Sequence, residues 1–73
     1  MQYNRHAMNI DALSDKYLEL SRQISVLHTQ LQAAKDAYNI LQTAENLENL
    51  NQTITKLNAA NDARNALLKR MQG

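Results

Sequence analysis

Two histidines and a short series of carboxylates are the side chains that could support metal chemistry in this chain of 73 residues. His6 and His28 have no carboxylate or second histidine three or four residues away, the spacing that a helical metal site requires. Asp11, Asp15 and Glu19 recur every four residues, but no Glu-x-x-His pair accompanies them. We therefore predict a solvated acidic face, with no metal and no cofactor.

Motifs for nucleophilic catalysis and for phosphate binding are also missing from the sequence. Ser14, Ser21 and Ser25 lack the arrangement of base and orienting residue that activates a serine. The only glycine is Gly73, so no glycine-rich loop is present to hold a phosphate or an oxyanion. The chain contains no cysteine, which excludes disulfides and thiolate ligands. We therefore predict that the protein is not an enzyme and has no small-molecule substrate.

Length and charge narrow the remaining classes of function. A chain of this length forms one domain, whose core usually supplies only a few kcal/mol without disulfides, metal or oligomerisation. The chain has eight Lys and Arg residues and seven Asp and Glu residues, so its net charge gives little attraction for nucleic acid. No apolar run approaches the roughly 18 residues of a membrane span, and residues 1–9 lack the apolar stretch that is typical of a secretory signal. We expect a cytoplasmic protein that does not bind membranes.

The strongest pattern is a series of apolar residues at alternating spacings of three and four, which is typical of a helix that packs along a seam. With no proline and no internal glycine, nothing in the chain breaks a helix on steric grounds. We predict a first helix over residues 10–42, preceded by a flexible tail over residues 1–9. Its seam residues are Ile10, Leu13, Tyr17, Leu20, Ile24, Leu27, Leu31, Ala34, Tyr38 and Leu41.

A second apolar series is out of phase with the first, because continuing the first would place Glu45 and Glu48 on the seam. Either the chain turns within residues 42–46, with Thr43 or Asn46 capping a second helix over residues 46–72, or one long helix continues as a parallel coiled coil. We favour the turn, although it contains no glycine. The second series comprises Leu47, Leu50, Ile54, Leu57, then Asn61 and Arg64, and finally Leu68 and Met71.

Folding the chain back at residue 44 gives apolar pairs across two antiparallel helices: Leu41 with Leu47, Tyr38 with Leu50, Ala34 with Ile54, Leu31 with Leu57, Leu20 with Leu68, and Tyr17 with Met71. The two layers that contain a polar residue are Leu27 with Asn61 and Ile24 with Arg64. A local shift that turns Ala60 and Ala63 inward is an alternative. Polar residues on a seam either specify register and oligomeric state or lie at its edge.

Apolar residues outside the seam indicate that the hairpin does not bury its whole apolar surface. These residues are Leu18, Val26, Ala33, Ala37 and Ile40 on the first helix, and Ala59, Ala66 and Leu67 on the second. The nearest source of further helices is a second copy of the chain. We therefore predict an all-α homo-oligomer, with two hairpins forming a four-helix bundle through the seam residues of both series.

Two kinds of binding function remain open. We expect a small helical regulator, such as an inhibitor, an antirepressor or an assembly chaperone, that binds a protein target. The alternatives are a passive scaffold subunit and a small dimeric hairpin that binds RNA or DNA. In that last case the contacts would be Arg22, Arg64, Lys69 and Arg70, since positive charge collects at the open end of the hairpin.

Overall fold

The computed structural model describes the backbone of residues 2–72 and the side chains of residues 11–72. Two helices, α1 (Gln2–Ile40) and α2 (Ala44–Gln72), pack side by side as a hairpin measuring 59 × 15 × 15 Å. The prediction of an all-α hairpin is confirmed, and the alternative of one continuous helix is wrong. No helix in the described part of the chain combines the length and the apolar content that a membrane crossing requires.

The helix ends lie close to the predicted ends at the turn and differ from them at the beginning of the chain. α1 begins at Gln2 rather than at Ile10, so the helical backbone extends into the segment predicted as a tail. The side chains of His6 and Ile10 lie outside the described residues. α1 ends at Ile40 and α2 begins at Ala44, so the turn comprises residues 41–43 rather than 42–46.

Thr43 caps the beginning of α2. Its backbone oxygen accepts the first hydrogen bond of the helix from the Leu47 N–H, at 3.0 Å, and its Oγ1 accepts another from the Asn46 N–H, at 3.1 Å. These bonds satisfy donors that have no partner within the helix. Glu45 in the first turn adds negative charge at the positive end of the helix dipole. Of the two predicted caps, Thr43 is therefore the one that caps α2.

Asn46 instead binds the end of α1. Its Nδ2 donates to the carbonyl oxygen of Leu41 at 2.8 Å and to that of Ala37 at 3.4 Å. Carbonyls at the end of a helix lack partners within it, and a glycine in the left-handed conformation often provides them. Among the described residues no backbone has a positive φ. The Ala37 carbonyl also accepts the Leu41 N–H, and the Leu41 carbonyl also accepts the Thr43 N–H. The amide of Asn46 therefore reinforces the end of α1 in a turn that contains no glycine.

Replacing Thr43 with alanine should destabilise the hairpin by about 1 kcal/mol, the usual effect of removing an N-cap hydroxyl. The expected result is a lower midpoint in urea denaturation with an unchanged slope. Thr55→Ala is the matched control, since the Thr55 hydroxyl is exposed and binds the Asn51 carbonyl within α2. Equal losses for the two variants would show that the Thr43 hydroxyl does not stabilise the turn.

The α1 side of the helix interface matches the predicted seam. Leu20, Ile24 and Ala34 are buried, and Leu13, Tyr17, Leu27, Leu31 and Tyr38 are half-buried. Leu41 is the exception, because it lies beyond the end of α1 in the turn and is 61% exposed. A run of apolar residues at alternating spacings of three and four therefore identified the packed face of the longer helix.

The α2 side of the interface differs from the predicted seam by a rotation of about 50° around the helix axis, half of one residue's turn. Thr53 and Leu67 are buried, whereas Ile54 and Leu68 are 38% and 37% exposed. Two hydrogen bonds accompany this rotation. The Asn46 amide points towards the end of α1, where it donates to the Leu41 carbonyl. The Thr53 hydroxyl can be buried because it donates to the Asn49 carbonyl at 2.8 Å. The inward-facing residues are Asn46, Leu50, Thr53, Leu57, Ala60, Arg64 and Leu67.

The turn is also centred two residues earlier than residue 44, which changes the pairing across the hairpin. Arg64 was predicted to lie against Ile24, but its guanidinium carbon is 6.0 Å from the centroid of the Tyr17 ring. This distance permits a cation–π interaction, which provides a partner for a charge at the interface. Ile54 and Leu68, which were predicted to pair with Ala34 and Leu20, are more than a third exposed. Of the two alanines in the alternative, Ala60 is half-buried and Ala63 is exposed.

Candidate functional site

The exposed apolar residues of the hairpin are its most prominent chemical feature. Within residues 11–72, eight large apolar side chains are at least 37% exposed: Leu18 (54%), Val26 (55%), Ile40 (84%), Leu41 (61%), Leu47 (41%), Ile54 (38%), Leu68 (37%) and Met71 (38%). Among the described side chains none is fully buried. Two helices cover each other from one side only, so apolar surface remains on both faces of the hairpin.

One face of the hairpin contains an open groove between α1 and α2. Leu20 and Leu27 from α1 line it with three alanines of α2, and Val26 stands at its margin. Because the α2 side chains here are short, the groove has a shallow apolar floor. The alanines are Ala59, Ala60 and Ala63, and the polar lining residues are Glu19, Arg22, Gln23, Gln30 and Lys56.

The opposite face exposes one side of α2, which we name the α2 edge. It consists of two rows at seven-residue spacing: Leu47, Ile54, Asn61 and Leu68, and next to them Asn51, Asn58 and Asn65. The helical repeat places these rows on the other side of the interface from Ala59 and Ala63. The apolar members of the α2 edge keep about two fifths of their surface exposed. They border the interface without entering it.

The residues of the predicted oligomer interface are therefore divided by the fold. Those in the described part of α1, from Leu13 to Tyr38, pack within the hairpin together with Leu50 and Leu57, while Leu41, Leu47, Ile54, Leu68 and Met71 remain exposed. Of the residues predicted to widen the stripe, Leu67 is instead buried between the helices. Only the exposed members are available to a second protein without unfolding the hairpin.

The four basic residues considered for nucleic acid do not occupy one common surface. Arg64 packs on Tyr17 at the helix interface, and Arg22 lines the groove. Lys69 and Arg70 are exposed in the last turn of α2, where positive charge opposes the negative end of the helix dipole. A dense basic stripe, as phosphate backbones require, is not formed by these four side chains.

Groups suited to metal binding do not assemble in the described part of the chain, where no three His, Asp or Glu side chains come together. His28 is exposed on α1. Asp11, Asp15 and Glu19 are exposed as well, as expected for a solvated acidic face.

The apolar pattern of the sequence does not distinguish the groove from the α2 edge. It groups Leu18, Val26 and Ile40 of the first helix into a single wide apolar stripe. The signal was present in α2: Asn51, Asn58 and Asn65 recur every seven residues, four positions after Leu47, Ile54 and Asn61. Such a repeat indicates a second, more polar packing face.

Comparison of the chain with protein-family models, curated proteins and solved structures found no match.

Proposed function

We propose that this protein is a non-catalytic helical binding module that self-associates and presents its remaining apolar face to a protein target. The observation that carries the proposal is that eight large apolar residues stay exposed while no described side chain is fully buried. Exposed apolar surface on a domain only 15 Å thick is typical of a subunit that lacks its packing partner. A second hairpin would turn the two-helix layer into a four-helix bundle with covered seams.

The size and polarity of the molecule support a regulatory form of this function. A rod 59 Å long can present an amphipathic helical face along several turns of a target helix or groove. The near-balanced charge favours recognition through apolar contacts over capture of a strongly charged partner. A scaffold role would use the same faces, and a pull-down with and without nuclease separates a protein target from nucleic acid.

Self-association has a direct signature in thermal melting. If dimerisation stabilises the fold, the melting temperature of the parent protein should rise steadily over a range of about a hundredfold in concentration. Sedimentation equilibrium over the same range should give twice the mass of one chain. A single-chain mass together with melting that does not depend on concentration would show that two helices alone complete the fold, and the proposal would then be wrong.

A further inference from the structure

We propose that the α2 edge is the self-association surface, and that it packs antiparallel against the α2 edge of a second copy with Glu48 beside the partner's Lys69. The inference rests on the proposed self-association and adds the face, the direction and the register. A two-fold axis makes such a contact isologous, so each pair across it occurs twice.

Charge determines the direction of the pairing. The beginning of α2 is acidic, with Glu45 in its first turn and Glu48 one turn later, and its last turn is basic, with Lys69 and Arg70. A parallel arrangement would bring like charges together at both ends. An antiparallel arrangement brings each acidic end to a basic end and also opposes the two helix dipoles.

Charge also determines the register. Next to the asparagine row lies a row that contains Glu48, Thr55, Asp62 and Lys69, all of them exposed. Antiparallel packing brings this row against the same row of the second copy, in steps of seven residues. One register places Glu48 beside the partner's Lys69 and Thr55 beside the partner's Asp62. Moving by one heptad places Glu48 beside the partner's Asp62, where two carboxylates repel each other.

The rows of the α2 edge complement each other in the favoured register. Ile54 meets the partner's Asn65, and Leu68 meets the partner's Asn51, so each apolar side chain packs beside the stem of an amide side chain. At the centre, Asn58 meets the partner's Asn61 on both sides of the two-fold axis. Amides at a helix interface hydrogen-bond best in one alignment, a property by which asparagine specifies register in coiled coils.

The test is a charge exchange read from the dissociation constant of the dimer by sedimentation. Glu48→Lys and Lys69→Glu should each weaken the dimer about tenfold, since each creates two like-charged pairs in place of two ion pairs. The double variant should return to within about threefold of the parent. Glu48 and Lys69 are about 30 Å apart along α2, at about 1.5 Å per residue, so they can rescue each other only between chains.

Glu45→Lys and Arg70→Glu provide the matched control. They change the charge at the same two ends of α2 and lie at least as close to the helix ends, so they disturb the helix dipole at least as much, but they lie on the groove side of the helix. We expect the dissociation constant to change less than about twofold in either variant. All variants are compared by circular dichroism to verify equal helix content.

Three results would overturn the inference. Tighter dimerisation of Glu48→Lys would indicate the register that places Glu48 beside the partner's Asp62. A double variant whose dissociation constant does not return towards that of the parent would show that Glu48 and the partner's Lys69 are not in contact. In both cases a dimeric parent leaves the proposed function intact. A monomeric parent, by contrast, would refute the self-association and this interface together.

Discussion

Ile24→Asp should unfold the hairpin. Ile24 is 5% exposed at the centre of the α1 seam, where an aspartate would lose apolar contacts and leave an unpaired carboxylate among apolar side chains. Such substitutions cost about 3–5 kcal/mol, a large part of the stability expected of so small a domain. The measurement is circular dichroism at 222 nm, where most of the helical signal should disappear at 25 °C.

Val26→Asp is the matched control for that experiment. Val26 lies two residues away on the same helix and is also β-branched and apolar, but it is 55% exposed at the margin of the groove. A carboxylate there remains hydrated, so the helical signal should be retained. If the two variants unfold to the same extent, the interface between α1 and α2 does not determine the stability of the fold.

Asn46→Ala should destabilise the turn by about 1–2 kcal/mol, because it removes the two hydrogen bonds from Nδ2 to the end of α1. The backbone N–H of residue 46 still donates to Thr43, so the cap of α2 is preserved. Alanine favours a helix over asparagine, which makes any observed loss attributable to the side-chain amide. Urea denaturation measures the change, and the loss should appear in the midpoint of the transition.

Two further variants separate the hydrogen bonds from general effects of the substitution. Asn46→Asp keeps the shape of the side chain but places an acceptor against two carbonyl oxygens. It should lose stability even though a carboxylate in the first turn of α2 gains about 0.3–1 kcal/mol from the helix dipole. Asn49→Ala, at an exposed position one turn along α2, should be neutral or slightly stabilising. Equal stability of Asn46→Asp and the parent would show that Asn46 does not hold the end of α1.

The packed face could be predicted from the sequence for α1 but not for α2. In α1 the apolar residues at the helix interface outnumber any competing series, so burial follows hydrophobicity directly, as Ile24 and Ala34 show. In α2 the more apolar of two neighbouring rows, which contains Ile54 and Leu68, is the more exposed one, and the row that contains Thr53 and Leu67 faces α1. Periodicity therefore predicted the wrong row, because it registers apolar content and not the hydrogen bonds that Asn46 and Thr53 make in the fold.

The sequence alone determined the all-α class, the packed face of α1 and the position of the turn to within two residues. These properties depend on local chemistry: no proline, no internal glycine, and one uninterrupted apolar series. Only the tertiary structure decided the rotation of α2, its register on α1 and the separation of the groove from the α2 edge. The reason is that these depend on two contacts across the hairpin, the amide of Asn46 on the end of α1 and the guanidinium of Arg64 on Tyr17. Neither contact has a signature in the spacing of residues along the chain.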